Sequence, residues 1–143
     1  MMTPDFAPRI LLVDDEPIVL EGLRLILEAN GFACRSATNG FEALKALRLT
    51  LPDIIICDLR MPKMSGFELL PILRRRYPQL GVVVISSEPA DSVQAMGLPM
   101  NAYFQKGAYA SEQLIATIHA LVAQLNRKHA YGSRLDSSSG EKA

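Results

Sequence analysis

The chain has 143 residues, which suits one domain with a single substantial core and leaves no room for a second full domain. Its 15 basic residues balance 15 acidic ones, so no net charge draws it to nucleic acid or to a membrane surface. Hydrophobic residues make up 49% of the sequence, yet no apolar run approaches the roughly 20 residues that cross a bilayer and no secretory signal opens the chain, so we expect a cytoplasmic protein.

Short apolar runs alternate with helical patterns from the start of the chain. The run RILLVDD at residues 9–15 ends in two acids and is followed by EPIVLEGLRLILEANG, whose apolar residues fall near a helical period. FACRSAT at residues 32–38 is strand-like, and Asn39 and Glu42 have the spacing of a capping box that opens a second helix. DIIICD at residues 53–58 then predicts a third strand.

The second half of the chain continues this alternation. Ser65 and Glu68 have capping-box spacing at the start of a third helix, and GVVVISS predicts a fourth, buried strand. The next helix is expected to be short, because glycine and proline interrupt it. NAYFQK and the periodic SEQLIATIHALVAQLNRK complete five strand and helix pairs, which predicts one domain over residues 8–126. The serine-rich residues 127–143 predict a flexible tail or the stump of a linker.

Polar residues follow four of the five predicted strands. Strands that alternate with helices predict a parallel sheet covered on both faces, where functional groups gather at the carboxyl ends of the strands. The residues at these ends are Asp14, Asp15, Asp58, Ser86, Ser87 and Lys106. Crowded carboxylates repel one another unless a cation neutralises them, and Mg²⁺ prefers such oxygen ligands. With a lysine and a hydroxyl to hold phosphoryl oxygens, the pattern favours a carboxylate nucleophile that accepts a phosphoryl group.

Four motifs in this order make the sequence similar to the receiver domains of bacterial two-component response regulators. They are LLVDDE, DLRMPKMSG, VVVISS and AYFQK. The resemblance implies a doubly wound α/β fold of the flavodoxin-like, three-layer αβα type, with a five-stranded parallel sheet in the order 2-1-3-4-5. Strand one would then separate Cys34 from Cys57, which is too far for a disulfide, so we expect both thiols to be reduced.

The resemblance also assigns roles to the acidic residues. Asp58 matches the aspartate that is phosphorylated, Asp15 the direct ligand of Mg²⁺, and Asp14 its water-mediated neighbour. Arg60 would lend its backbone carbonyl to the metal. The implied cofactor is therefore Mg²⁺, held beside the phosphoacceptor.

Three further residues match the family's response to phosphorylation. Ser86 matches the hydroxyl that follows the phosphoryl group, Lys106 the lysine that contacts it, and Tyr103 the aromatic switch. One position departs from the family pattern, because Gly107 follows Lys106 where the family often has a cis proline.

The implied function is a signalling switch and not an enzyme in the usual sense. Asp58 would take its phosphoryl group from a sensor histidine kinase or a histidine phosphotransfer protein, by self-catalysed transfer followed by slow loss. The face of helix four, strand five and helix five would then change, and a homodimer would use the same face. No direct contact with nucleic acid is expected within this chain, whose periodic part ends after helix five.

Two other functional classes stay open. An interaction module that keeps the fold without being phosphorylated is favoured by Gly107 and the short fourth helix, and opposed by the intact acidic site. A phosphohydrolase of the haloacid dehalogenase type would need an aspartate two residues after its nucleophile, where this chain has Arg60.

Arg60 and Glu88 flank the expected mouth of the site. Arg60 lies two residues after Asp58, and Glu88 lies two residues after Ser86. Their opposite charges predict that the side chains meet across the path of a hydrolytic water. We expect this pair to slow the loss of the phosphoryl group.

Overall fold

Strands and helices alternate along the whole chain, as the apolar pattern predicts. The computed structural model describes the backbone of residues 7–142 and the side chains of residues 7–126. The strands are β1 (Arg9–Val13), β2 (Ala33–Ala37), β3 (Ile54–Cys57), β4 (Gly81–Ser86) and β5 (Ala102–Gln105). The helices are α1 (Pro17–Ala29), α2 (Gly40–Leu49), α3 (Gly66–Arg76), α4 (Ala90–Met96) and α5 (Ser111–Lys142). Residues 127–143, which the sequence predicts to be a flexible tail, lie outside the residues whose side chains are described, so the tail stays a prediction. Within the described part, no helix is both long enough and apolar enough to span a membrane.

The five strands form one parallel sheet in the order β2-β1-β3-β4-β5, which confirms the predicted order. All residues of β3 and β4 are buried. Continuous apolar strands suit this central position because helices cover both faces of the sheet. The order also brings the ends of β1 and β3 side by side, with Val13 paired to Cys57.

Side chains alternate between the two faces of the sheet and build two separate cores. In β3, Ile55 and Cys57 pack with α2, α3 and α4, whereas Ile54 and Ile56 pack with α1 and α5. The three-layer arrangement is therefore confirmed. Both cysteines are free, and strand β1 lies between the strands that carry them.

The two predicted capping boxes differ in outcome. Ser65 and Glu68 form a complete box at the start of α3, as expected. At α2 the side chain of Asn39 does accept from the amide of Glu42, but the Glu42 carboxylate accepts from Thr38 and not from Asn39. The prediction of a full box at α2 was therefore wrong. The neighbouring Thr38 offers both an amide and a hydroxyl to the carboxylate, and so competes for it.

Candidate functional site

Two buried carboxylates lie side by side at the carboxyl edge of the sheet. Asp14 follows β1 and Asp58 follows β3, and these adjacent strands keep the two residues in register: the Asp58 amide donates to the Val13 carbonyl at 2.9 Å. Asp14 is 4% exposed and Asp58 is 5% exposed. Asp15 and Glu16 are exposed, and one carboxylate oxygen from each of these four residues lies within 4.8 Å of the others. The structure thus brings together the three acids that the sequence predicts.

Lys106 neutralises this cluster from the end of β5. Its ammonium group lies 2.9 Å from an oxygen of Asp58, 3.1 Å from one of Asp14 and 3.2 Å from one of Glu16. The backbone holds the lysine in place, because the Lys106 amide donates to the Ser86 carbonyl at 2.8 Å. One cation therefore bridges three carboxylates that would otherwise repel one another.

Burial and charge shift the protonation of the groups at this site in definite directions. Burial raises the pKa of Asp14 above its ordinary value, and the Glu16 amide at 2.9 Å together with Lys106 only partly offsets that effect. Burial alone would lower the pKa of Lys106, but its hydrogen bonds to Asp58 and Asp14 outweigh this and leave the pKa raised. Lys106 consequently stays cationic at neutral pH, which its predicted contact with a phosphoryl group would require.

The hydroxyl of Ser86 is buried without a hydrogen-bond partner among the described residues. Ser86 is 1% exposed, whereas the neighbouring Ser87 is exposed. A buried hydroxyl without a partner is costly, so such groups call for an explanation. This one keeps its proton and lone pairs free at the end of β4, next to the strand that ends at Asp58.

Arg60 and Glu88 contact each other above the acidic edge. The Arg60 Nε atom pairs with the Glu88 Oε1 atom, with the Arg60 side chain 67% exposed and that of Glu88 16% exposed. The Arg60 guanidinium also lies over the ring of Phe67, 5.6 Å from its centroid. The two charges therefore meet as their positions in the sequence predict. Their effect on hydrolysis and the metal contact of the Arg60 carbonyl stay predictions.

Tyr103 points its hydroxyl group toward the loop after β4. The hydroxyl donates to the carbonyl of Ser86 at 3.1 Å and to the carbonyl of Glu88. Burial, followed by the charge of Glu88, raises the pKa of Tyr103, so the hydroxyl keeps its proton. The expected switch residue is thus tied to the same loop that carries Ser86.

The segment between β3 and α3 is held close to the phosphoacceptor candidate. The Gly66 amide donates to the Leu59 carbonyl at 2.9 Å, and the Arg60 amide reaches Asp58 Oδ1 at 3.3 Å. Within this loop Lys63 has a φ of +63°, a left-handed conformation that few residues other than glycine adopt. An open pocket beside the acids is lined by Asp15, Leu59, Arg60, Met61, Pro62, Ser65 and Phe67.

Two residues that contact the site were not predicted from the sequence. Glu16 joins the acidic cluster and binds Lys106, and its position directly after the DD pair was the available signal. Phe67 supports Arg60, but its pattern in α3 is indistinguishable from that of a packing residue. Gly107 adopts a φ of +77°, and all peptide bonds in the described residues are trans.

The donor set fits a hard divalent cation. Carboxylate oxygens from Asp14, Asp15 and Asp58 are close enough to share one ion, and Mg²⁺ favours such ligands together with several waters. Burial, with a smaller contribution from the charge of Asp58, keeps the pKa of Asp14 raised even with Lys106 in place, and a bound cation would oppose both effects. The residues present are therefore suited to Mg²⁺.

Comparison with known proteins points to one family. Residues 10–119 match the family described as the response regulator receiver domain. Among curated proteins, the response regulator MprA of Mycobacterium leprae is 36% identical over 116 residues, which is 80% of this chain and 50% of that protein. MprA of Mycobacterium ulcerans is 35% identical over the same shares. The chain thus spans about half the length of the curated relatives it matches.

Solved structures give the same result. The signal receiver domain of a signal transduction histidine kinase from Syntrophus aciditrophicus has a TM-score of 0.77 and 31% identity, covering 85% of this chain and 94% of that one. A response regulator receiver domain protein from Clostridium thermocellum has a TM-score of 0.74 and 25% identity, covering 87% of this chain and 98% of that one.

Proposed function

This chain belongs to the response regulator receiver domain family of two-component signalling, and from that membership we propose that it is a phosphoryl-accepting switch. Asp58 takes the phosphoryl group, and Mg²⁺ is the cofactor. One observation carries the proposal: Asp58 and Asp14 are buried together around the ammonium group of Lys106. This places a nucleophilic carboxylate beside a fixed cation, which is what acceptance of an anionic group requires.

The transfer makes one bond and breaks one bond. An oxygen of Asp58 attacks the phosphorus of a phosphohistidine, the P–N bond breaks, and the imidazole leaves with the bonding electron pair. Lys106 then binds an anionic oxygen of the acyl phosphate, and the free hydroxyl of Ser86 donates to another. When bound, Mg²⁺ supplies further positive charge to these oxygens. The groups that hold it are Asp14, Asp15, Asp58 and the backbone carbonyl of Arg60.

The readout follows from the added charge. Attraction of Ser86 and Lys106 to the phosphoryl group moves the loop after β4, and Tyr103 turns with it, so that the face of α4, β5 and α5 changes. The donor is a sensor histidine kinase or a histidine phosphotransfer protein in the cytoplasm. The altered face engages a downstream protein or a second copy of the chain.

Arg60 and Glu88 set the lifetime of the phosphorylated state in this proposal. Their ion pair stands beside Asp58 and limits the approach of the water that attacks the acyl phosphate in line. Shortening both side chains to alanine is expected to accelerate dephosphorylation at saturating Mg²⁺. A decay no faster than that of the wild type would remove this role from the pair.

Intact-mass measurement tests the proposed function directly. Incubation with a small phosphodonor and Mg²⁺ is expected to add one phosphoryl group to the wild type and none to Asp58→Ala. Asp53→Asn is the matched control, because Asp53 lies at the opposite end of β3 and its carboxylate accepts from the Arg9 amide, away from the acidic cluster. Equal labelling of Asp58→Ala and the wild type would refute the assignment, and no labelling of either would favour the non-phosphorylated interaction module.

A further inference from the structure

Glu88 connects the mouth of the site to Tyr103. Its carboxylate pairs with Arg60 and its backbone carbonyl accepts from the Tyr103 hydroxyl. These are two different groups of one residue, so the ion pair and the hydrogen bond are joined through Glu88 itself. Glu88 also precedes α4 by one residue, Pro89, which fixes φ and limits how the loop absorbs a displacement.

Arg60 is anchored independently of Glu88. Its guanidinium lies over the ring of Phe67, which belongs to the first turn of α3. The complete capping box of Ser65 and Glu68 fixes that turn. Arg60 therefore offers Glu88 a positive charge whose position depends on α3 and not on the loop after β4.

Tyr103 depends on the loop for its position. Its hydroxyl has one proton, which is shared between the carbonyls of Ser86 and Glu88. Among the described residues no other hydrogen-bond partner holds this hydroxyl. If the Glu88 carbonyl moves away, the hydroxyl loses one of its two acceptors, and orientations of the ring that are released from this loop gain population.

We infer that Arg60 is a positioning residue for Tyr103 and acts through the ion pair with Glu88. Arg60 lies two residues after Asp58 and Glu88 two residues after Ser86, so each end of the link is close in sequence to a group that the proposed function assigns to the phosphoryl group. The orientation of Tyr103 is thereby set in part by a charge at the mouth of the site, before any phosphorylation. The consequence for output rests on the proposed switch, whereas the link itself exists in the unphosphorylated chain.

The link is tested on the full, unphosphorylated chain by NMR with ¹³C-labelled tyrosine, with the Tyr103 signal assigned from Tyr103→Phe. Glu88→Gln keeps the backbone carbonyl and the size of the side chain but removes the charge. It is expected to shift the Tyr103 signal and to increase its broadening by a soluble paramagnetic agent. The ratio of loop-bound to released Tyr103 should fall by up to about fivefold, which corresponds to about 1 kcal/mol for an exposed ion pair.

Further variants separate the ion pair from loop packing. Arg60→Ala should reproduce the effect of Glu88→Gln, whereas Arg60→Lys, which keeps a positive charge that can lie over the Phe67 ring, should stay close to the wild-type signal. Arg75→Ala, which removes an exposed arginine from the last turn of α3, should leave the signal unchanged. An unshifted Tyr103 signal in both Glu88→Gln and Arg60→Ala, or a shift in Arg60→Lys as large as that in Arg60→Ala, would overturn the inference. If the wild type is not phosphorylated but Tyr103 still responds to these changes, the proposed function fails and the link stands.

Discussion

Gly66 packs directly against the backbone of the phosphoacceptor candidate, and its replacement by alanine gives a sharp test of the site. A Cβ atom at this position would lie 2.3 Å from the Asp58 carbonyl oxygen and 2.8 Å from the Leu59 Cα atom. Both are backbone atoms that cannot rotate away, so Gly66→Ala must displace the chain that carries Asp58. Overpacking of this kind costs about 1 to 3 kcal/mol.

Gly22 provides the matched control within the same chain. It is an exposed glycine in α1, and a Cβ atom there meets nothing within 4 Å. Gly22→Ala should therefore stabilise the protein by about 0.5 to 1 kcal/mol through helix propensity alone. The two glycine-to-alanine changes are expected to shift stability in opposite directions, which a general property of the substitution cannot explain.

Urea unfolding followed by circular dichroism measures both variants. With a slope of about 2 kcal/mol per molar urea, the midpoint of Gly66→Ala should fall by roughly 0.5 to 1.5 M and that of Gly22→Ala should rise. Phosphoryl acceptance should drop in Gly66→Ala and stay unchanged in Gly22→Ala. A Gly66→Ala variant with the stability and labelling of the wild type would show that the contact with Gly66 does not hold the backbone of Asp58 in place.

Three other measurements check the electrostatics and the caps. Folding raises the pKa of Asp14 above 3.8, chiefly through burial. The ionised carboxylate therefore destabilises the folded state. This destabilisation is absent below the ordinary pKa and fully present above the pKa in the folded state. Asp14→Asn should therefore raise the melting temperature at about pH 7, and this gain should vanish below about pH 4. An equal gain in melting temperature at the two pH values would contradict the expected cost of ionised Asp14. Burial, with a smaller contribution from Glu28, raises the pKa of Cys34 to about 11. Alkylation of Cys34 at about pH 8 should therefore be on the order of a hundredfold slower than that of a free thiol, and it should accelerate toward pH 11. An alkylation rate independent of pH would exclude this cause. Ser65→Ala should destabilise the chain by about 1 kcal/mol in urea unfolding, because the Glu68 amide loses the side-chain oxygen it donates to, and no loss would mean that water replaces the cap.

Local patterns in the sequence determined the elements of this fold. The spacing of apolar residues is sufficient to assign the strands and helices. A helix buries one apolar stripe and a central strand buries both of its faces, and each pattern is visible within the segment itself. The same reasoning placed Asp14, Asp58 and Lys106 at strand ends, and parallel strands bring their carboxyl ends to one edge. The boxes predicted at α2 and α3 have the same spacing, however. Only the structure shows that the Glu42 carboxylate at α2 accepts from Thr38 instead of from Asn39.

Contacts between distant segments were decided by the tertiary structure alone. The sequence places opposite charges at Arg60 and Glu88, yet it does not contain the position of Phe67 under the guanidinium or the donation from Tyr103 to the Glu88 carbonyl. Nor does it show that the Ser86 hydroxyl is buried with no hydrogen-bond partner in the described part of the chain, while Ser87 faces solvent. The physical reason is that secondary structure follows from each segment's own periodicity, whereas these contacts depend on the exact register and spacing of β3, β4 and β5 after the two cores have packed.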